Sequence, residues 1–182
     1  MLEIFRRDAY RWAIHHLGRS ITSPEQLTTP DLVRLLYQNM ALRAIAWFRL
    51  GSWLKHKRVP FLPGLIQRQI FSRYGLEIVV GAEIGGGLYI AHPVGTVIAP
   101  KRIGVNCSII AAVTIGMRNE WSFPTIGDDV FIGAGARVLG GITIGNGAII
   151  GANAVVINDL PENVTAVGIP AKIARSATTL AV

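Results

Sequence analysis

Residues 126–156 read IGDDVFIGAGARVLGGITIGNGAIIGANAVV, and stepping by six from Ile126 meets Ile132, Val138, Ile144, Ile150 and Val156 in turn. An α-helix brings side chains back to one face every 3.6 residues and a strand every 2, so neither alone accounts for a strict six. The beat extends upstream through Ile78, Ile84 and Ile90, then, after one extra residue, Val97, Ile103, Ile109 and Ile115. Between Ile115 and Ile126, and between Val156 and Val167, one hexad is lengthened by five residues. The fifth position is small or β-branched: Ala82, Val94, Cys107, Val113, Val130, Ala136, Ala148, Ala154. A chain that turns a corner every six residues satisfies this pattern. Its short strands stack into a triangular prism, the aliphatic position fills the interior, and Gly, Asn and Asp take the turns where positive φ is cheap.

Upstream of residue 76 the pattern is helical. In DLVRLLYQNMALRAIAWFRLGSWL apolar residues recur at three and four, with Asp31 as a start signal. PGLIQRQIFSRYG predicts a second helix between Pro63 and Gly75, and residues 1–20 a further one. Of the 20 glycines, 16 lie from residue 76 onward. The expected organisation is therefore α+β by segments: a helical region over 1–75, a β-solenoid over 76–175 and a tail over 176–182. The net charge of +7 comes from the first part, where 12 Lys and Arg face 4 Asp and Glu, against 6 and 7 in the remainder. No nucleic-acid motif accompanies this excess, and its simplest reading is a solvated helical face. A single cysteine, no leader and no long apolar run predict a cytoplasmic protein.

The hexads, of the form aliphatic-Gly-x-x-small-x, resemble those of the hexapeptide-repeat acyltransferases. That resemblance implies a left-handed parallel β-helix, an exception to the right-handed crossover rule. The chain is most similar to the serine acetyltransferase type over roughly residues 40–175. The similarity is carried by ALRAIAWFRLGSWL, LIQRQIFSRYGLEI, the segment around His92, the break after Ile115 and VINDLPENVTAVGIPAKIAR. It implies acetyl-CoA as co-substrate, no metal, a homotrimer, and His92 in AHPVG as general base, paired with Glu77 fifteen residues upstream. It also implies CoA contacts at Gly116, Met117, Ala134 and Ala152, with Lys172 and Arg175 as partners for phosphates and backbone N–H groups near Gly116 or Met117 for the oxyanion.

The acceptor positions depart from the family. Ala91 stands where the family has Asp, and Ser122-Phe123 where it has an Arg-His pair that holds the serine carboxylate. Loss of charged partners disfavours a zwitterion, and Trp121 with Phe123 suits the apolar face of a sugar. The expected acceptor is thus a carbohydrate hydroxyl, as in the serine-acetyltransferase-like enzymes of surface polysaccharide synthesis. The alternatives are serine O-acetylation and, from another class, a non-catalytic scaffold. Nucleic acid is not an expected partner, and a peripheral membrane contact through the basic helices remains compatible.

Overall fold

The computed structural model describes residues 1–17 and 21–176, without the side chains of residues 14–16, Arg175 and Ser176. Most of the predicted tail lies outside the described residues. Among the described residues four α-helices come first, α1 (Leu2–His16), α2 (Thr29–Gln38), α3 (Met40–His56) and α4 (Leu62–Tyr74), with one 3-10 turn at Pro24–Gln26 between α1 and α2. The periodic stretch read as one helix is two. Thr28 caps α2 in a capping box with Asp31, and at buried Asn39 the chain becomes extended before α3 begins. Helix α4 ends on Gly75 in the left-handed conformation (φ 62°), one residue before the first strand. A Cβ on Gly51 would lie 2.9 Å from the Ile66 side chain, so the bare backbone lets α3 and α4 pack closely.

Fifteen strands follow among the described residues. The first coil of the prism is β1 (Leu76–Ile78), β2 (Glu83–Ile84) and β3 (Tyr89–His92), and the second β4 (Thr96–Ile98), β5 (Arg102–Ile103) and β6 (Ser108–Ala111). The third is β7 (Thr114–Gly116), β8 (Thr125–Ile126) and β9 (Phe131–Ile132), and the fourth β10 (Arg137–Leu139), β11 (Thr143–Ile144) and β12 (Ile149–Ile150). The last holds β13 (Val155–Val156) and β14 (Val164–Val167), from which β15 (Lys172–Ser176) folds back antiparallel. Three sheets result: β1-β4-β7-β10-β13 on the first face, β2-β5-β8-β11 on the second, and β3-β6-β9-β12-β14-β15 on the third. All pairings except the last are parallel.

The interior is the predicted column of aliphatics, with Ile78, Ile90, Ile109, Ile115, Ile132, Val138 and Ile150 fully buried. Each such side chain contributes about 1.5–3 kcal/mol relative to exposure. The phase slips at three predicted positions. Ile98, not Val97, faces inward, because the corner after His92 takes one residue more than the single extra one read from the sequence. Ala166, not Val167, pairs inward with Ile150, and Val94 is an exposed corner residue, not a small interior one. Stacking is close: a Cβ on Gly133 would stand 2.6 Å from the Ala152 nitrogen of the next coil.

The helices close the open end of the prism. Backbone groups that face the next coil pair with it in both directions, as in Gly85 N–H to Ile103 O and Asn106 N–H to Gly86 O, and the carbonyls of the first coil that face away from it have no coil to serve. Cationic side chains serve them instead. Lys55 Nζ donates to Val80 O (2.8 Å), and Arg49 donates to Ile84 O and Gly85 O (both 2.6 Å). Arg11 reaches Gly87 O at 3.5 Å and, on the second coil, donates to Asn106 O and Ser108 Oγ (both 2.8 Å). Arg49 is itself fixed by buried Asp8, at 2.8 and 3.0 Å, and Asp8 also accepts from Leu88 N–H. Burial pushes the Asp8 carboxyl above its ordinary value, opposed by Arg49 and by the Leu88 and Gly87 amides. Part of the basic excess is therefore a donor-rich lid on a carbonyl-rich end and not a solvated face. Phe48, Ile66, Ile70 and Tyr74 extend the prism core into the helices.

Candidate active site

His92 ends β3 at the edge between the third and first faces, and its ring is exposed. Its neighbours along that edge follow from register. His92 pairs with Ala111, and the Ile109–Ile132–Ile150 ladder puts Ala134 and Ala152 two residues beyond the next rungs. The column is tied by Gly135 N–H to Ala111 O (2.7 Å) and Asn153 N–H to Ala134 O (2.8 Å). One histidine thus stands at the head of a strip of alanines, with coils about 4.8 Å apart. A strip with no side chain beyond Cβ lets an extended ligand approach the backbone.

Glu77 points outward from β1, across the edge from His92. Gly95 N–H donates to Gly75 O (2.9 Å), stacking the corner that follows His92 on the start of β1. Among the described residues no hydrogen bond or ion pair joins Glu77 to His92, and Glu77 instead lines a cleft of about 450 Å³ with Gly64, Gln67, Arg68 and Phe71 of α4. The pairing implied by the family resemblance is therefore one of proximity along an edge, not of contact within the chain.

The other implied residues lie apart. Gly116 ends β7 at the far margin of the first face, and Met117 opens the eight-residue loop 117–124. Trp121, 84% exposed, meets Phe123 edge-on at 5.5 Å between ring centroids. Behind this loop, Arg118, Ser122, Leu139, Gly141 and Ile142 line a cavity of about 230 Å³. Ala91 is half-buried beside His92. Lys172 is exposed on β15, paired with Val167, and the side chain of Arg175 lies outside the described residues. Within one chain the width of the first face separates the histidine edge from the loop.

Sequence reading passed over Arg137. It projects from the first face in the row Glu77–Val97–Thr114–Arg137–Val155. Its guanidinium donates to the carbonyls of Ala112, Gly135 and Ala136. Ala112 has φ 51°, a left-handed conformation that costs an alanine about 1–2 kcal/mol, so Arg137 clamps a strained corner beside the alanine strip. The available signal was its isolation, since it is the one Lys or Arg between Arg118 and Lys172. Cys107 was read as core, and is: it is buried, its Sγ lies 3.1 Å from Gly127 O, and burial pushes its thiol up to about 11.

Residues 123–158 match the family model described as bacterial transferase hexapeptide, six repeats. A serine acetyltransferase of Helicobacter pylori is 41% identical over 144 residues, which make up 77% of this chain and 83% of that protein. The chain belongs to the serine acetyltransferase family. Solved structures agree. Neisseria gonorrhoeae serine acetyltransferase in complex with serine is 32% identical with a TM-score of 0.78, over 94% of this chain and 68% of that one. A serine acetyltransferase in complex with CoA is 30% identical with a TM-score of 0.79, over the same two shares. The architecture held in common is the left-handed parallel β-helix. Membership in this family places the chain among the acyl-CoA-dependent O-acetyltransferases. Other curated relatives in the family are longer, and the chain spans 52–67% of their length. No helix among the described residues is long and apolar enough to cross a membrane.

Proposed function

We propose that this protein transfers the acetyl group of acetyl-CoA to the hydroxyl of serine, with His92 as general base. The observation that carries the reading is the edge itself: one exposed histidine at the head of the Ala111–Ala134–Ala152 strip. The relatives support serine, the activity printed in their names, over the sugar expected from the sequence. An alcohol is too weakly acidic to ionise unaided. Neutral His92 accepts its proton as the oxygen bonds to the thioester carbon, and returns it to the thiolate when the carbon–sulfur bond breaks. Glu77 stabilises the transient imidazolium from across the edge, and Arg137 faces the anionic groups of CoA along the strip. Pairing of the histidine edge of one copy with the loop of another, in a homotrimer, brings His92 together with Gly116, Met117 and Trp121.

A second reading, transfer to a sugar hydroxyl, is favoured by Ala91, by Phe123 and by the exposed Trp121–Phe123 pair. The test is CoA release by wild type and His92→Ala with L-serine and with a panel of nucleotide sugars. Serine turnover that falls about 10²–10⁴-fold on substitution supports the proposal. His92-dependent turnover with a sugar alone transfers it to the second reading, and absence of turnover with every acceptor refutes both.

A further inference from the structure

The tip of the α3–α4 hairpin is apolar, cationic and unused by the site above. Phe61 is 86% exposed and Leu65 60%, with Leu62 beside them at the start of α4. Lys57 and Arg58 flank them in sequence, and Arg68 lies one helical turn beyond Leu65 on the same outward face. The tip lies about 20 Å along α4 from Gly75, at 1.5 Å per residue. Arg58 and Phe61 both hold positive φ, 58° and 61°. A bulky aromatic in that region is strained, and packing within the chain does not repay it, because the ring is in solvent.

Charge selects the occupant. From residue 32 to 76 the sequence contains eight Lys and Arg and no Asp or Glu. Arg49 and Lys55 are consumed by the first coil, which leaves six. A symmetric contact between two copies through this tip would set Lys57 and Arg58 against cations, with Glu77 at hand only for Arg68 in the cleft along α4. An anionic bilayer offers apolar depth for Phe61, Leu62 and Leu65 and anionic headgroups for Lys57, Arg58 and Arg68. We infer that the α3–α4 tip is a peripheral docking surface for anionic lipid, which would hold the acetyltransferase at a membrane face.

Flotation of the full chain with phosphatidylcholine vesicles, with and without phosphatidylglycerol, tests this. The protein is expected to float with the anionic vesicles only, and less as salt rises. Lys57→Glu with Arg58→Glu is expected to weaken partitioning about tenfold or more, and Phe61→Ser with Leu65→Ser to abolish it, while CoA release by both variants stays at the wild-type level. Failure of the wild type to float with anionic vesicles overturns the inference, as does unchanged flotation of the Phe61→Ser, Leu65→Ser variant. A fall in oligomer mass for that variant, with no lipid binding by the wild type, assigns the tip to contact between copies.

Discussion

Removing one carboxylate from the junction of helices and prism should cost about as much stability as truncating a buried leucine. In Asp8→Ala, the Nε–H and Nη2–H of Arg49 lose acceptors at 2.8 and 3.0 Å, and Leu88 N–H loses one at 2.8 Å. Arg49, 7% exposed, keeps the carbonyls of Ile84 and Gly85 but no counter-charge. Breaking a buried pair from one side costs about 3–5 kcal/mol, and neither partner is exposed enough for solvent to relieve it. At about 2–4 °C per kcal/mol for a chain of this size, the melting temperature should fall by about 6–20 °C, read by circular dichroism at fixed protein concentration. Replacing both residues, Asp8→Leu with Arg49→Met, should recover only part of the loss, because the first-coil carbonyls then lack a donor. A fall below about 2 °C for Asp8→Ala, or full recovery in the double variant, would refute the view that Arg49 serves ion pair and carbonyls together.

Arg137→Gln should raise the KM for acetyl-CoA about tenfold with kcat little changed, the pattern of lost uniform binding, since a half-exposed charge-assisted bond is discounted for solvent. An unchanged KM in initial-rate assays would leave Arg137 as a clamp on the Ala112 corner alone. The Cys107 thiol, held protonated up to about 11, should resist a disulfide exchange reagent in the native protein at pH 8 and react once per chain on unfolding. Because its native value lies above the ordinary 9.0, its contribution to stability is complete below pH 9 and fades as pH rises toward 11. A melting temperature less sensitive to that alkaline range in Cys107→Ala checks the sign.

The solenoid was legible because an inward isoleucine every six residues leaves little else for the chain to do. The slips at Val97 and Val167 show where that legibility stops. A corner that gains a residue resets the phase, and two adjacent aliphatics, Val97-Ile98, give no sign of which one turns inward. The division of α2 from α3 at Asn39 was hidden by an apolar pattern that runs unbroken through it. At the site, His92 is the one histidine from residue 76 onward, the other three lying at 15, 16 and 56, and the alanines are repeat residues in a recurring frame. Arg137 is set by a register of four coils, and the Asp8–Arg49 pair spans 41 positions, beyond the reach of any local period.

The same lidding of the prism bears on assembly. A stack of parallel coils is by nature a growing object, since each end offers an unfilled row of backbone groups to another stack. Here one end meets a plug of arginine and lysine, which cannot be extended by strand addition. At the other, β15 reverses direction along β14, and Val155 is closed by Gly168 and Ala171. Polymerisation end to end is therefore blocked chemically at one pole and by polarity at the other. Association is left to the flanks and edges of the prism, where a finite ring of copies can close and where the histidine edge lies.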